Sequence, residues 1–281
     1  MTKRIFTSIL IVLMLFSSIG MQSLAFASDE LKTTVVISEY EELEKLSKMS
    51  DIKLRSIGYN IAEINDIKNF EAKYNERFYT LKKEPDNVLR NYGYTDKQIS
   101  IIRNFDGKEI QVKSLVAKVT LTLTSSGVTW NSSTKRSNTN LKASFTWSSM
   151  PLVRLIDGLG ITWNDWTRSS YTSSVTYKKV SNGATFNKTP TFVNNAGPQS
   201  MGCGFKFSCM QDPNNEWLIS GTMNIVLYYS NVKKALSGYA AYGHTTLGWE
   251  PSFSIPGGGA IGFGFQTQTI AEDWCDRVAP K

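Results

Sequence analysis

The chain has 281 residues, of which 41% are hydrophobic, and a formal net charge of +7 at pH 7. This length is enough for a substantial hydrophobic core in one or two domains. The positive charge is not gathered into dense Lys/Arg clusters, so we expect no nucleic-acid partner. Mild attraction to anionic envelope polymers or to lipid surfaces is compatible with this charge.

The first 27 residues have the pattern of a secretory signal peptide. Lys3 and Arg4 precede an apolar run over residues 5–19, and residues 25–27 (AFA) supply the small-x-small cleavage pattern. A membrane anchor is the alternative, but the apolar run is shorter than the roughly 20 residues of a spanning helix. We therefore expect cleavage after residue 27, Gram-positive-type export to a secreted, extracellular location, and no transmembrane segment after processing.

Composition changes near residues 106–115, which indicates a domain boundary. Residues 28–110 hold 14 basic and 16 acidic residues, whereas residues 111–281 hold 15 basic and 8 acidic residues and are rich in Ser, Thr, Gly and aromatic residues. The hydrophobic pattern changes there from a helical period to alternation. We predict an α+β chain of two domains, with a small helical domain at 28–110 and an all-β antiparallel, sandwich-like domain at 111–281.

The predicted helical domain contains a repeat. Residues 54–70 (LRSIGYNIAEINDIKNF) and residues 89–105 (LRNYGYTDKQISIIRNF) match at an offset of 35 residues, and each reads as helix, tight corner, helix. Two units are fewer than the three or so that a solenoid needs. We therefore interpret the repeat as a means of packing a small helical domain; a docking or inhibitory prodomain is the alternative.

The corner within each unit can be derived from its residues. Gly58 suits the left-handed position that ends a helix, and Tyr59 then contacts Leu54. Asn60, with Glu63 three residues later, predicts a capping box that starts the next helix. The second unit repeats the corner with Leu89, Gly93, Tyr94, Thr95 and Gln98.

From residue 116 onward, apolar and polar residues alternate. The pattern is clearest in residues 116–130 (VAKVTLTLTSSGVTW), 141–147 (LKASFTW) and 215–230 (NEWLISGTMNIVLYYS). Such segments, separated by Gly/Ser/Asn turns, predict half-buried antiparallel strands of a β-sandwich. Residues 151–166 (PLVRLIDGLGITWNDW) are compatible with a strand, a short helix or a long functional loop.

Three cysteines follow the predicted cleavage site. Disulfides persist outside the cytoplasm, and Cys203 and Cys209 flank a short segment that can close a hairpin-like loop, so we favour a Cys203–Cys209 disulfide. Cys275 is then free or replaces either partner, because spacing alone does not choose among the three pairings.

Few residues point to catalysis or to a cofactor. His244 is the single histidine and there is no Cys-x-x-Cys pair, so we expect no metal and no cofactor. The group Asp157, Asn164 and Asp165 lacks the ligand alternation of a Ca²⁺ loop. A lone His beside aromatic residues favours a structural role over a nucleophilic triad. Catalytic residues are therefore unknown, and a hydrolase with a carboxylate site, tested first at Glu250 and Asp165, is an alternative.

Binding is the function that the composition favours. All seven Trp lie after residue 110, and Trp163 and Trp166 fall in the ambiguous 151–166 segment. Exposed rings there would stack on sugars or anchor at a lipid interface; the alternative is that they cover the sandwich edge. We predict a ligand- or surface-binding protein rather than an enzyme, with Trp163 and Trp166 binding a cell-wall glycan or a membrane surface.

A membrane-active, toxin-like protein is the second alternative. Residues 119–130 (VTLTLTSSGVTW) alternate Ser/Thr with apolar residues, as in the hairpins of transmembrane β-barrels. A sandwich strand with one wet face has the same pattern, so this segment does not choose between the two.

Overall fold

The computed structural model describes residues 31–193, 202–212, 215–233, 235–245, 253–254, 262–263 and 267–278. The predicted signal peptide lies outside these residues. No helix in the described ranges has the length and apolar character needed to cross a membrane. The described helices are α1 (Glu39–Ser47), α2 (Asp51–Ser56), α3 (Ile61–Lys68), α4 (Phe70–Leu81), α5 (Asp86–Asn91), α6 (Asp96–Arg103) and α7 (Glu109–Leu115).

Strand β1 precedes the helices and the other described strands follow them. These strands are β1 (Leu31–Ser38), β2 (Lys118–Ser125), β3 (Thr129–Asn131), β4 (Arg136–Trp147), β5 (Ile156–Trp163), β6 (Thr167–Lys179), β7 (Thr185–Lys188), β8 (Thr191–Val193), β9 (Gly202–Ser208), β10 (Met210–Asp212), β11 (Glu216–Tyr229), β12 (Ala235–Thr245), β13 (Phe253–Ser254), β14 (Gly262–Phe263) and β15 (Thr267–Val278). The predicted fold class, helices followed by an antiparallel β region, is confirmed.

Both helix corners have the predicted geometry. Gly58 has a φ of 106°, and the Tyr59 N–H donates to the Leu54 carbonyl over 3.1 Å. The second corner, at Gly93 with a φ of 90°, has the equivalent hydrogen bond at the same length. The tyrosine that follows each glycine is buried, so each corner is fixed by its backbone and by its ring.

Side chains close both ends of the second helix in each unit. The Asn60 side chain accepts from the Glu63 N–H while the Glu63 carboxylate accepts from the Asn60 N–H, and α6 begins with the same capping box. At the other end, Asn69 and Asn104 occupy equivalent positions after α3 and α6. Each donates its Nδ2 to the carbonyl four residues earlier, over 2.8 and 2.9 Å respectively. The repeated asparagines are therefore caps.

The first described element is a strand, which differs from the helical structure predicted from residue 28. Strand β1 pairs antiparallel with β2, from Leu31 opposite Ser125 to Ser38 opposite Lys118. Residues 33–37 are five consecutive β-branched residues, which favour extended backbone. The helices continue to α7, past residue 110. The division into two domains at 110/111 stays a prediction.

Two antiparallel sheets share one core. The larger has the order β1-β2-β4-β11-β6-β7, with β3 beside β4 and β10 beside β11; the second has the order β15-β12-β5-β9-β8. Phe145 of β4 packs against Phe207 of β9 with ring centroids 5.1 Å apart, and against Tyr242 of β12 at 4.6 Å. These contacts join the facing sides of the two sheets, which is the predicted sandwich-like arrangement.

The ambiguous segment at residues 151–166 contains strand β5. This strand lies between β12 and β9, and its residues after Ile156 are all buried. A strand covered on both faces has no need of polar alternation, which is why its periodicity did not identify it.

Hydrogen bonds tie the helical region to the sheets. The Asn91 carbonyl accepts from Trp217 Nε1 at 2.9 Å, and Asn91 Nδ2 donates to the Val180 carbonyl at 2.7 Å. The Met150 N–H donates to the Tyr92 carbonyl at 2.9 Å. The second helix corner therefore rests directly on the β region.

Candidate functional site

A cluster of ionisable side chains is buried where the helical region meets the sheets. Glu39 is the first residue of α1, Asp157 lies on β5 and His244 lies on β12, and each is at most 1% exposed. His244 Nδ1 lies 3.0 and 2.9 Å from the two Asp157 carboxylate oxygens. Its Nε2 lies 3.3 Å from Glu39 Oε1. One imidazole thus bridges two carboxylates.

Glu39 is held by donors on both oxygens. Its Oε2 accepts from the Tyr74 hydroxyl at 2.7 Å and from the Leu152 N–H at 2.9 Å. Its Oε1 accepts from the Val153 N–H at 2.9 Å and contacts His244. A buried carboxylate is stable only when such partners replace water.

The neighbouring charges control protonation in this cluster. Burial by itself would raise the pKa of Glu39, but the hydrogen bond and charge of His244 outweigh it and keep that pKa below its usual value. Burial would lower the pKa of His244, yet Asp157 and then Glu39 raise it to about 10. The geometry therefore fits an imidazolium between two carboxylates.

Asp157 has two further partners. The Tyr242 hydroxyl donates to Asp157 Oδ2 and accepts from Trp147 Nε1 at 2.9 Å. The Cys209 thiol lies beside Asp157, and burial, together with that nearby carboxylate, raises the pKa of Cys209 well above its usual value. One ligand atom from each of Asp157, Cys209 and His244 lies within 4.8 Å of the others.

This cluster is not arranged for nucleophilic catalysis. A nucleophilic cysteine needs a base that takes its proton, and access to a substrate. Both His244 nitrogens contact carboxylates, so neither is placed to take the proton of the Cys209 thiol. All of these residues are buried. The cluster can hold charge and connect elements, and its donor atoms are those of a metal site.

The outer face of the large sheet forms a second feature. Antiparallel pairing places partner side chains on the same face of a sheet. One cross-strand row runs over five strands and consists entirely of hydroxyl side chains: Thr34, Thr122, Ser144, Thr222 and Ser174. The next row contains Val36, Thr120, Thr146, Ser220 and Thr176. We call these two rows and the one beyond them the hydroxyl face.

The third row of the hydroxyl face adds positive charge. It contains Lys32, Thr124, Lys142, Asn224 and Thr172. Lys118 is exposed at the end of β2 on the same side. In the sequences of the five strands β1, β2, β4, β6 and β11, Glu216 is the single acidic residue. The face is therefore polar, built mostly of short side chains, and positive.

The structure buries the two tryptophans predicted to bind ligand. Trp163 and Trp166 are each 2% exposed, and Trp163 Nε1 donates to the Trp166 carbonyl at 2.9 Å. Neither ring offers a face to a sugar or a lipid. Both rings belong to the hydrophobic core of the β region, and Trp166 packs against Tyr229 with ring centroids 6.2 Å apart.

The predicted Cys203–Cys209 disulfide is not formed, and both thiols are free and buried. The segment between them is strand β9 rather than a hairpin. Six residues of extended chain span about 20 Å, whereas disulfide-bonded Cα atoms lie about 4.4–6.8 Å apart. The Cys275 side chain lies outside the described part of the structure.

Of the two carboxylates proposed for a hydrolase, the structure describes only Asp165. Asp165 is exposed and pairs with Lys233 at 3.2 Å, and Glu250 lies outside the described residues. Sequence reasoning missed Glu39 and the grouping of Cys209 with His244. The one available signal was Glu39 itself, an acidic residue two positions after the apolar run at residues 35–37.

Comparison with known proteins gives distant structural similarities. No protein-family model matches the chain, and no curated protein matches it. The solved structure "pH-induced modulation of Streptococcus parasanguinis adhesion by Fap1 fimbriae" is 11% identical with a TM-score of 0.24, covering 57% of this chain and 80% of that one. A structure described as a pore forming protein is 8% identical with a TM-score of 0.25, covering 57% and 84%.

The membrane-inserted form of the Clostridium perfringens NetB toxin is also 8% identical, with a TM-score of 0.24, covering 57% of this chain and 88% of that one. The chain thus has distant structural similarity to pore-forming toxins and to the Fap1 adhesin.

Proposed function

We propose that this protein binds an anionic, hydroxyl-bearing polymer of the cell envelope through its hydroxyl face. The observation that carries this proposal is the alignment of Ser, Thr and Asn side chains over five adjacent strands, with lysines at its border. Hydroxyl groups donate and accept hydrogen bonds, as sugar and polyol hydroxyls do. Lysines add attraction to phosphate or carboxylate groups, and this attraction decreases with salt.

The short side chains of the central rows suit a polymer that lies along the sheet. Neighbouring side chains within a row are separated by the distance between adjacent strands, about 4.8 Å. Successive groups of a polymer that crosses the strands would therefore meet repeated hydrogen-bonding partners. This proposal replaces Trp163 and Trp166 as the binding residues, because both rings are buried.

A sedimentation assay with purified Gram-positive cell walls tests this proposal. Lys142→Glu reverses a charge in the middle of the lysine-containing row, and we expect about ten-fold weaker binding, equivalent to about 1.4 kcal/mol. Lys97→Glu is the matched control, because Lys97 is exposed on α6, in the helical region, and makes the same charge change. Walls stripped of their anionic polymers serve as the second control.

Equal losses in both variants would indicate a general effect of net charge and would contradict a defined binding face. Undiminished binding to stripped walls would exclude the anionic polymer as the ligand. Circular dichroism of each variant verifies that the fold is intact.

Membrane activity is a second candidate, supported by strand length. Strands β4, β6 and β11 have 12, 13 and 14 residues, and a transmembrane strand needs about 9–11. Along β4 and β11 the buried apolar residues alternate with the hydroxyl face, which is the pattern of a barrel wall. Since the apolar side forms the sandwich core, insertion would require the sheets to separate.

Dye release from liposomes tests this second candidate. Leakage at micromolar protein would support it, and intact liposomes under the same conditions would exclude it. The assay is independent of wall binding, so the two candidates are decided separately.

A further inference from the structure

We propose that Asp157, Cys209 and His244 form a binding site for a divalent metal ion of zinc-like chemistry. Imidazole nitrogen, thiolate sulfur and carboxylate oxygen are the protein ligands of Zn²⁺. The three residues come from β5, from the bend between β9 and β10, and from β12, and all are buried. This site was not expected from the sequence, in which the three residues lie far apart and follow no metal-binding motif.

The separations of the donor atoms are close to those of a metal site. The three ligand atoms lie within 4.8 Å of one another. Bond lengths to zinc of about 2.0–2.3 Å place the ligands of a tetrahedral site roughly 3.3–3.8 Å apart. His244 Nδ1 and Asp157 Oδ2 are 2.9 Å apart, so they need to separate by only a few tenths of an ångström. Three protein ligands leave a fourth position for a water molecule.

The surroundings have the second layer of contacts that metal sites require. A metal-binding histidine usually donates its other N–H to a carboxylate, which fixes the tautomer and the ring orientation. Glu39 occupies that position beside His244 Nε2 at 3.3 Å, leaving Nδ1 directed at Asp157 and available to a metal. The Tyr242 hydroxyl, in turn, orients the Asp157 carboxylate. These contacts would hold the ligands in place whether or not the ion is bound.

The charges balance when a metal enters. With an imidazolium, a thiol and two carboxylates, the side chains of Glu39, Asp157, Cys209 and His244 carry a net charge of −1. An M²⁺ ion would form bonds to Nδ1 and to Sγ while one proton leaves each of these atoms for solvent. Two protons are exchanged for one divalent cation, so the net charge of the buried cluster stays the same and no new uncompensated charge is buried.

The burial of the cluster determines how the site would be filled. His244 and Asp157 are fully enclosed, so an ion would be captured during folding and released slowly afterwards, as in other sites where binding is coupled to folding. Loading is therefore best performed by refolding in the presence of the ion.

Refolding with Co²⁺ tests the proposal without an activity assay. Co²⁺ substitutes for Zn²⁺ and gives a thiolate-to-metal charge-transfer band in the near ultraviolet when a cysteine is a ligand. Purified protein, unfolded and refolded with Co²⁺ or with Zn²⁺, would be desalted and its metal content measured by mass spectrometry. We expect about one ion per chain, the charge-transfer band with Co²⁺, and a higher Tm than that of protein refolded with a chelator.

The chain supplies its own matched control. Cys209→Ser should abolish the charge-transfer band and reduce the bound metal at least ten-fold. Cys203→Ser, which alters another buried free cysteine at the far end of β9, should leave both unchanged. Substoichiometric metal in the folded wild-type protein, or the same cobalt spectrum in the two variants, would overturn the proposal. The wild-type measurement decides the question even if a variant fails to fold.

Discussion

At the scale of single residues, we expect the buried carboxylate of Glu39 to contribute strongly to the free energy of unfolding. Each of its two oxygens faces two donors, from Tyr74 and Leu152 on one side and from Val153 and His244 on the other. Glu39→Gln would therefore place an amide NH₂ against donors in either orientation. We expect a loss of about 3–5 kcal/mol in the free energy of unfolding, the usual cost of breaking a buried ion pair, measured by urea denaturation.

Glu109→Gln is the matched control for this prediction. Glu109 pairs with Lys113 at the surface, with a side chain 62% exposed, and such pairs contribute about 0–1 kcal/mol. If Glu39→Gln and Glu109→Gln lower the free energy of unfolding by similar amounts, the buried contacts of Glu39 do not contribute the predicted stability.

The two corner glycines allow a second comparison at single residues. Gly58→Ala should cost roughly 1–2 kcal/mol, the penalty for a left-handed residue with a Cβ. Gly93→Ala should cost clearly more, because a Cβ at Gly93 would lie 2.9 Å from the backbone atoms Ser148 O and Ser149 Cα. Thermal denaturation of both variants measures the difference, and equal costs would show that the contact with the β region is unimportant.

Local residue patterns were predictable and distant groupings were not. The capping boxes and both glycine corners follow from residues a few positions apart, so their sequence contains the whole interaction. Glu39 and His244 are 205 residues apart, and no pattern in the chain indicates that they meet. The Trp163 and Trp166 rings were given the wrong environment for a related reason: exposure depends on what packs over a residue, which periodicity does not show.

At the scale of elements, the same helix corner occurs in two different environments. The first corner packs in a small core formed by Leu46, Leu54, Tyr59, Ile64 and Ile67. The second belongs to a larger helical core that continues to Val116, and Gly93 contacts the β region. Local stability depends on such packing more than on the corner motif itself.

Hydrogen exchange can separate these two environments. We expect the amides of α2 and α3 to exchange faster than those of α5 and α6, because fewer buried contacts must be broken to open the first pair. Each pair has a capping box and a glycine corner, so the sequence motif is controlled for. Equal protection of the two pairs would mean that the corners, rather than the surrounding core, set local stability.

Strands β2, β4 and β11 could be predicted from the sequence, whereas β5 and β1 were missed for two different reasons. Strands β2, β4 and β11 alternate between core and hydroxyl face and could be located from that alternation. Strand β5 is buried throughout and has no alternation. Strand β1 was missed because its acidic neighbours resembled the charge-dense helical region, although its β-branched residues favoured a strand.

At the scale of the molecule, the contacts between the helical region and the sheets predict a single cooperative unfolding transition. All seven Trp lie after residue 110, so tryptophan fluorescence reports on the β region, while circular dichroism at helical wavelengths reports mainly on residues 39–115. We expect the two signals to change at the same urea concentration. Two separate midpoints would contradict the coupling through Glu39 and Asn91.

The pairing of β1 with β2 also imposes an order of events on a chain that emerges from its amino end. Leu31 can pair only after Ser125, 94 positions later, has been synthesised. The helix corners in between are formed by contacts between residues close in sequence and can therefore fold early. Glu39 acquires its imidazole partner later than Leu31 acquires Ser125, because His244 lies on β12. In a nascent or truncated chain that ends before β12, the Glu39 carboxylate therefore lacks the His244 imidazolium that balances its charge. We expect such a chain to be cleaved by proteases more readily than the full-length protein.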